Sequence, residues 1–161
     1  MVIWTPGDPP PPELEAFHFF DWVTHSIAIT CYEVACHRDI LDIEGVEYIV
    51  SIGTLSPDES LTGRPTTWVR DIEDATPDVD LGEITRAVDA IRELSHRGRT
   101  LVHCAAGVSR SPGLVTIALC LDNGWDWDQA KTQVQYTRRA TNIHPLTETR
   151  LKEWLGINRQ G

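Results

Sequence analysis

The sequence predicts a single compact α/β domain, in which a central, mostly parallel sheet is flanked by helices. Short runs of apolar and β-branched residues alternate along the chain with segments whose apolar residues recur at helical spacing, an order typical of α/β proteins. The 161 residues, 41% of them hydrophobic, suit one domain with a sizeable core. The sequence contains neither an internal repeat nor a second block of different composition.

Residues 1–16 are predicted to be a proline-rich segment that precedes the domain itself, residues 17–161. Prolines occupy position 6 and positions 9–12. A run of consecutive prolines favours the extended polyproline II conformation. We expect a tail or a segment that lies along the domain, and a ligand for a proline-recognition domain is the alternative.

The first half of the domain is expected to contain three strands and one helix. In chain order these are a strand near residues 26–30, a short helix over residues 32–41, a strand over residues 46–52 and a strand over residues 66–69. Gly45 and Gly53 bracket the apolar run between them, which marks it as a central strand. The polar residues 55–65 include prolines and a glycine, and they predict a loop.

Helix signals dominate the second half. After an acidic loop over residues 73–80, Asp80 and Glu83 form a capping-box pattern. The apolar residues that follow recur at helical spacing: Leu81, Ile84, Val88, Ile91 and Leu94. Gly98 is expected to end this helix, and Thr100 to begin a short buried strand. Three further helices are expected, from Ser111-Pro112 to Asn123-Gly124, after a cap at Asp126, and after Pro145.

One stretch joins the strand at Thr100 to the next helix and carries the chemistry. His103-Cys104 is followed by five residues and then by Arg110-Ser111. A loop that enters a helix N-terminus points several backbone N–H groups at one spot, where the helix dipole adds partial positive charge. Such a nest binds a tetrahedral oxyanion and stabilises a thiolate, and a planar guanidinium grips two phosphate oxygens. The alternative is a buried core cysteine followed by a solvated arginine.

This run resembles the signature loop of the cysteine-based protein tyrosine phosphatases. Its form, His-Cys-Ala-Ala-Gly-Val-Ser-Arg-Ser, is similar to the dual-specificity branch in particular. The resemblance covers most of the chain, although only the loop around Cys104 is highly specific. It implies the compact α/β fold of that branch and a phosphatase that works through a covalent phosphocysteine, with no metal and no cofactor.

Each requirement of phosphate-ester hydrolysis has a candidate residue. A catalyst must supply a nucleophile, cancel the charge of the phosphate and protonate the leaving oxygen. We expect Cys104 to be the nucleophile, because a helix N-terminus stabilises the thiolate form of a cysteine. The phosphate oxygens are expected to bind the Arg110 guanidinium and the loop amides, which are those of Ala105, Ala106, Gly107, Val108, Ser109 and Arg110.

The resemblance assigns further roles. It implies that His103 buttresses the loop through hydrogen bonds, and that Ser111 stabilises the departing thiolate when the intermediate is hydrolysed. A helix cap is the alternative role for Ser111. Arg138, with Arg139, falls where the family often has an arginine near the pocket, and both a second anion site and a solvated helix-end arginine are open. The family's Pro-Asn-x-Gly-Phe run is absent, and Asn142-Ile143-His144-Pro145 follows instead.

The general acid is expected to be Asp74. In the resembled family this acid is an aspartate on a mobile loop upstream of the cysteine and ahead of a helix, and Ile72-Glu73-Asp74 looks like the corresponding run. A flexible acidic loop before the helix that leads to the Cys104 strand can also reach the same rim. Asp71 and Asp78 are competitors, whereas Asp80 is better explained as a helix cap.

Charge and composition narrow the partners and the compartment. A net charge of -10 without a basic block argues against nucleic-acid binding, and no stretch approaches the apolar length of a membrane span. No signal-peptide pattern is visible. The cysteines fit neither a zinc site nor a disulfide framework; Cys120 is expected in the core, and Cys31 and Cys36 serve either packing or redox protection of Cys104. A thiolate nucleophile needs a reducing compartment, which favours the cytoplasm.

The sequence therefore predicts a phosphatase that hydrolyses phosphotyrosine, and also phosphoserine and phosphothreonine, in phosphorylated proteins. One alternative keeps the chemistry and changes the substrate to a phosphoinositide, a phosphorylated sugar or an RNA 5′ end. The absence of basic residues between Cys104 and Arg110 disfavours that alternative. Another alternative is a phosphate-binding module without catalysis, which predicts that the cysteine, the arginine or the acid is missing.

Overall fold

The computed structural model describes residues 16–159. The segment predicted as proline-rich, residues 1–16, lies almost wholly outside the described residues. Within residues 16–159, no helix has both the length and the hydrophobicity that crossing a bilayer requires.

The described strands form one sheet with the order β1-β2-β5-β3-β4. Their bounds are Asp21–Trp22 (β1), Ile27–Thr30 (β2), Tyr48–Ile52 (β3), Thr66–Val69 (β4) and Thr100–His103 (β5). The short β1 pairs antiparallel with β2, and the other neighbours are parallel. The predicted mostly parallel sheet is thus confirmed, and β5, which leads into the Cys104 loop, is its central strand.

Helices lie on both faces of this sheet. After a 3-10 turn at Ala16–His18, the α-helices are Tyr32–Ala35 (α1), Arg38–Glu44 (α2), Glu59–Thr62 (α3), Leu81–Arg97 (α4), Arg110–Asn123 (α5), Trp127–Thr137 (α6) and Pro145–Arg159 (α7). Helices α4, α5, α6 and α7 share the larger hydrophobic cluster with the sheet, and α1 and α2 share the smaller one.

Alternation along the strands explains the two clusters. Ala28, Ile49 and Leu101 are paired across the sheet and face α1 and α2. The next row, which includes Val50 and Val102, faces α4–α7. Successive strand side chains point to opposite faces, so the continuous apolar runs predicted from the sequence are what a sheet covered on both faces requires.

Two element predictions in the first half are wrong. The helix expected over residues 32–41 is two helices, because His37 adopts an extended conformation between α1 and α2. The loop expected over residues 55–65 contains α3, whose first turn is capped by Asp58 accepting from the Ser60 backbone N–H. Both differences concern single turns, for which hydrophobic periodicity carries little information.

The caps predicted in the second half are present. Asp80 accepts hydrogen bonds from the backbone N–H groups of Gly82 and Glu83 and begins α4, and Asp126 accepts from Gln129 and begins α6. The reciprocal half of the capping box is absent, since the Glu83 carboxylate pairs with Arg86 instead. Helix α5 ends at Asn123, as predicted, and Gly124 directly after it adopts a left-handed conformation.

Candidate active site

The Cys104 loop, residues 104–109, connects the C-terminal end of β5 to the N-terminus of α5. Cys104 is 2% exposed and lies at a cavity of about 340 Å³, which we call the Cys104 pocket. The pocket is lined by Asp74, Cys104, Ala105, Ala106, Val108, Ser109, Arg110, Asn142, His144 and Pro145. Parallel sheets place ligand sites at the carboxyl ends of their strands, and this pocket has that position.

Glycine is required at position 107 of the loop. Gly107 has φ +68°, and a Cβ there would lie 2.5 Å from the carbonyl oxygen of Thr30. A side chain would therefore be strained by the backbone conformation and would also push the loop away from β2.

Arg138 supports the loop from behind. Its Nη2 donates to the carbonyl of Ala106 at 3.1 Å and its Nε to that of Gly107 at 3.0 Å. Because the C=O and N–H of a trans peptide point in opposite directions, the amides of Gly107 and Val108 point away from this guanidinium. The same guanidinium also pairs with Asp21, at 3.1 Å.

Both alternatives considered for Arg138 from the sequence are wrong. Its side chain is fully buried, so it is neither a solvated helix-end arginine nor a second anion site. Burial lowers its pKa, while the Asp21 carboxylate opposes that change. The neighbouring Arg139 is exposed. The sequence predicted an arginine near the pocket, and in the structure this arginine supports the Cys104 loop.

His103 is a neutral buttress of the loop. Its Nδ1 donates to the Cys104 carbonyl at 3.0 Å, and its Nε2 accepts from the Ser51 hydroxyl at 2.7 Å, since a carbonyl can only accept and a neutral imidazole has one N–H. Ser56 in turn donates to Ser51 at 3.1 Å. Burial, more than the nearby Arg110 charge, lowers the pKa of His103 to about 4, although its hydrogen bond to Cys104 opposes the change. The arrangement agrees with the buttress expected from the resemblance.

Arg110 is the first residue of α5, and its guanidinium borders the pocket. Nη1 donates to the carbonyl of Ile72 at 3.1 Å, which ties the arginine to the residue directly before the acidic loop. Gly53, at φ +97°, leaves the space that this guanidinium occupies, because a Cβ there would overlap Nη1. The sequence analysis identified Gly53 only as the end of a strand. The signal that could have revealed its second role was its position directly after a central strand.

Of the four aspartates considered as the acid, Asp74 is the one that lines the Cys104 pocket. Asp71, Asp78 and Asp80 line a neighbouring cavity of about 360 Å³, which also contacts Arg110. Asp80 is occupied as the cap of α4. The structure therefore brings Asp74 to the same pocket as Cys104 and Arg110, which follow it in the chain by 30 and 36 residues.

Two hydroxyl groups hold the Asp74 carboxylate. Ser109 Oγ donates to Asp74 Oδ1 at 2.7 Å, and Thr147 Oγ1 donates to the same oxygen at 2.6 Å. Burial raises the pKa of Asp74, but the hydroxyls of Thr147 and Ser109, the Ala75 amide and the Arg110 charge together lower it below its ordinary value. The sequence predicted a phosphate-binding role for the backbone amide of Ser109 but no role for its hydroxyl. Thr147 was not predicted at all, because it belongs to no recognisable motif.

Ser111 is fully buried in the first turn of α5. Among residues 16–159, its hydroxyl has no hydrogen-bond partner, so the helix-cap alternative is wrong. A buried hydroxyl without a partner is unusual in a native structure. Ser111 directly follows Arg110 but is not among the residues that line the Cys104 pocket.

The cysteines other than Cys104 are also free thiols. Cys31 is buried and directly follows Thr30, the strand partner of His103. Cys120 is buried in α5, and burial raises its pKa. Within residues 16–159, no group of three or more His, Cys, Asp or Glu side chains has an arrangement that could hold a metal ion.

Similarity to known proteins agrees with this geometry. A family model for the catalytic domain of dual specificity phosphatases matches residues 29–154. Tyrosine-protein phosphatase yvh1 of Schizosaccharomyces pombe is 27% identical over 124 residues, which cover 76% of this chain and 37% of that protein. Protein-tyrosine-phosphatase IBR5 of Arabidopsis thaliana is 32% identical over 127 residues, which cover 76% of this chain and 46% of that protein. The chain thus spans less than half the length of these curated relatives.

Solved structures share the fold. Human DUSP28 superposes with a TM-score of 0.76 at 22% identity, covering 94% of this chain and 97% of that one. A mouse putative dual specificity phosphatase complexed with zinc tungstate gives 0.76 at 23% identity, with coverages of 99% and 96%. PTPMT1 in complex with PI(5)P gives 0.71 at 18% identity, with coverages of 88% and 99%.

Proposed function

The chain belongs to the dual specificity phosphatase family, and from this membership we propose that it hydrolyses phosphate monoesters of proteins through a phosphocysteine intermediate. The observation that carries the proposal is the convergence of Cys104, Arg110 and Asp74 on one pocket. These three groups match the needs of the reaction, which are a nucleophile, a charge clamp and a proton donor.

In the first step the Cys104 thiolate attacks phosphorus, and the bond to the leaving oxygen breaks. The amides of residues 105–110 and the Arg110 guanidinium bind the three non-bridging oxygens. Support for this role comes from Arg138, which holds the carbonyls of Ala106 and Gly107 on the far side of the loop. The protonated carboxyl of Asp74 donates its proton to the leaving oxygen.

In the second step water attacks the phosphocysteine, and Asp74, now a carboxylate, accepts a proton from that water. The sulfur of Cys104 departs as a thiolate, and phosphate is released. We assign to the Ser111 hydroxyl the stabilisation of this departing thiolate by a hydrogen bond. Its burial without a partner in the described part of the chain supports the assignment. His103 takes no proton in either step, since its low pKa keeps it neutral.

Hydrolysis of p-nitrophenyl phosphate by the wild type and by Cys104→Ser tests the proposal. We expect turnover in the wild type and loss of turnover in Cys104→Ser. The control is Cys36→Ser, which should retain turnover because Cys36 is half-buried and lies outside the pocket. Persistent turnover in Cys104→Ser would contradict the assigned nucleophile. Equal inactivity of the wild type and Cys104→Ser would favour the phosphate-binding module.

Asp74→Ala tests the general acid. We expect kcat to fall by about 10²–10⁴-fold for aryl phosphates with poor leaving groups, the range for loss of a general acid. The loss should be much smaller for p-nitrophenyl phosphate, whose leaving group departs without protonation. An unchanged rate on poor leaving groups would move the role to Asp71 or Asp78.

We propose phosphorylated proteins as substrates. The names of the two relatives are those of tyrosine phosphatases, and Arg110 is the one lysine or arginine that lines the Cys104 pocket. A polyphosphorylated lipid or an RNA end would call for further cations. The structural likeness to PTPMT1, solved with PI(5)P, makes a phosphoinositide the second candidate. Phosphotyrosine and phosphoserine peptides and a water-soluble phosphoinositide, assayed side by side, separate these classes by kcat/KM.

The proposal extends to the domain and the compartment. We assign the catalytic unit to residues 17–161 and the cytoplasm as its location. Support comes from the family match over residues 29–154 and from the free thiols, which a reducing compartment preserves. Expression of a tagged full chain with imaging of its location tests the second part.

A further inference from the structure

Asp74 Oδ1 accepts two hydroxyl hydrogen bonds, and each hydroxyl is itself held by a backbone N–H. His144 N donates to Ser109 Oγ at 2.9 Å, and Ser109 Oγ donates onward to Asp74 at 2.7 Å. On the other side, Ala75 N donates to Thr147 Oγ1 at 2.9 Å, and Thr147 Oγ1 donates onward to Asp74 at 2.6 Å. We call Ser109 and Thr147 the hydroxyl clamp.

The direction of these hydrogen bonds follows from proton counting. A backbone N–H can only donate, so each clamp hydroxyl must accept from it and has its single proton left for Asp74. Oδ1 therefore receives two protons from its neighbours. The protonated oxygen of a carboxylic acid is a poor acceptor, so a proton carried by this carboxyl belongs on Oδ2.

We propose that Ser109 and Thr147 are positioning residues, which fix the Asp74 carboxyl so that Oδ2 delivers the proton to the leaving oxygen. The inference rests on the proposed function. It deepens that function by naming the groups that aim the acid and the oxygen that transfers the proton.

Rigid elements hold both hydroxyls. Ser109 occupies the N-cap position of α5, yet its side chain makes no capping hydrogen bond and serves Asp74 instead. Thr147 lies in the first turn of α7 and is 3% exposed. The acidic loop is thereby pinned to two helix ends, with an orientation that the loop alone would not maintain.

The backbone next to the acid also depends on the clamp. Ala75 has φ +58° and is the one non-glycine residue with positive φ in the described part of the chain. This conformation is unfavourable for alanine and persists where neighbouring contacts impose it. The hydrogen bond from its N–H to Thr147 is such a contact.

The clamp has a consequence for the pH dependence. Hydroxyls that donate to a carboxylate stabilise its ionised form, and they contribute to the lowered pKa of Asp74. The other titratable groups that line the pocket are Cys104, Arg110 and His144. Removal of a clamp hydroxyl should raise the pKa of Asp74, so the alkaline limb of kcat against pH, which reports loss of the acid's proton, should move to higher pH.

Thr147→Val removes the hydroxyl and keeps the size and β-branching of the side chain. We expect kcat for a poor leaving group, such as phenyl phosphate, to fall about tenfold, the scale of one hydrogen bond. The rate on p-nitrophenyl phosphate should change much less, and the alkaline limb should shift upward. Thr147→Ser keeps the hydroxyl, so its kcat and the pH position of its alkaline limb should both match those of the wild type.

Two further variants complete the experiment. Ser109→Ala should reproduce the same pattern and keeps the proposal testable if Thr147→Val does not fold. Thr149→Val is the matched control, because Thr149 lies on the same helix, is exposed and donates only to the Pro145 carbonyl. It should behave as the wild type.

The outcomes separate the clamp from the proposed function. Wild-type leaving-group dependence and an unmoved alkaline limb in both Thr147→Val and Ser109→Ala, with Asp74→Ala impaired, would overturn the clamp and leave the function standing. If Asp74→Ala itself were unimpaired, the acid assignment and the clamp would both fall.

Discussion

At the scale of single residues, every guanidinium nitrogen of Arg138 donates a hydrogen bond to an oxygen. Nε and Nη2 hold the Cys104 loop, while Nη1 binds the Phe19 carbonyl at 2.6 Å and Asp21 at 3.1 Å. Nη2 also reaches the carbonyl of Phe17. The arginine thus joins the loop to the first described segment of the chain. Loss of such a group leaves buried acceptors without donors, which is more harmful than loss of a surface charge.

Arg138→Met tests this support. The methionine fills similar space but leaves the loop carbonyls and Asp21 unpaired, so we expect a loss of about 3–5 kcal/mol in the free energy of unfolding. Urea denaturation followed by tryptophan fluorescence measures it. The control is Arg139→Met, an exposed neighbour that should change stability by less than about 0.5 kcal/mol. Equal effects in the two variants would contradict a supporting role for Arg138.

Gly53 acts on Arg110 through the space it leaves open. Gly53→Ala and Gly124→Ala make a matched pair, because both glycines have positive φ, but only a Cβ at Gly53 would meet Arg110. We expect each variant to lose about 1 kcal/mol of stability from backbone strain. Only Gly53→Ala should also lose kcat on p-nitrophenyl phosphate, since its methyl group displaces the guanidinium. Full activity in Gly53→Ala would show that Arg110 does not need the space that Gly53 leaves.

At the scale of elements, two aspartates near the start of α4 have different roles, one in the candidate site and one in folding. Asp80 ends the loop and caps the first turn of α4, with its Oδ1 at 2.6 Å from the Gly82 nitrogen. Asp74, six residues earlier, faces the pocket instead. The same residue type therefore serves a helix terminus at one position and the candidate chemistry at the other.

Asp80→Ala should separate these roles. Loss of an N-cap typically costs about 1 kcal/mol, so we expect the thermal midpoint to fall while kcat on poor leaving groups stays within about twofold of the wild type. In Asp74→Ala we expect a large loss of kcat, together with a lower midpoint because the Ser109 and Thr147 hydroxyls lose their acceptor. Calorimetry and steady-state kinetics on the same preparations provide both numbers. A large kcat loss in Asp80→Ala would reopen the choice of acid.

At the scale of the whole molecule, the buried His103 links stability to pH. Its folded pKa of about 4 lies below the ordinary value of 6.5. As pH falls from 6.5 toward 4, His103 becomes protonated in the unfolded chain but stays neutral in the folded protein. The contribution of His103 to the free energy of unfolding is therefore fully present above this pH window and is lost within it. The loss amounts to about 3 kcal/mol when the window has been crossed.

Urea unfolding at pH 7 and at pH 4.5 measures this linkage. Other groups titrate in the same interval, so the informative quantity is the difference between the wild type and His103→Gln. We expect the variant to be less stable at pH 7 but to lose about 2–3 kcal/mol less between the two pH values. His25→Gln, at an exposed histidine, is the control and should follow the wild type. Parallel pH curves for wild type and His103→Gln would contradict a neutral buried imidazole.

The part of the protein determined by the sequence alone is the part whose physics is local. The Cys104 loop is one contiguous run between a strand and a helix, so its place at a helix N-terminus followed from residue order. The caps at Asp80 and Asp126 bind amides two or three residues away, and they were predicted for the same reason. The break at His37 escaped prediction because a single extended residue leaves no periodic signal.

Tertiary structure alone decided what lies behind and beside that loop. Arg138 reaches acceptors at Gly107 and Phe19, and Asp74 receives hydroxyls from Ser109 and Thr147, all through contacts between segments far apart in the chain. Such hydrogen bonds depend on how helices pack on the sheet, and no residue spacing encodes them. Cys104, Arg110 and Ser111 are thus set by a short motif. The place of Asp74 beside them and the orientation of the site are set by packing, because donor and acceptor meet only when the core has brought their elements together.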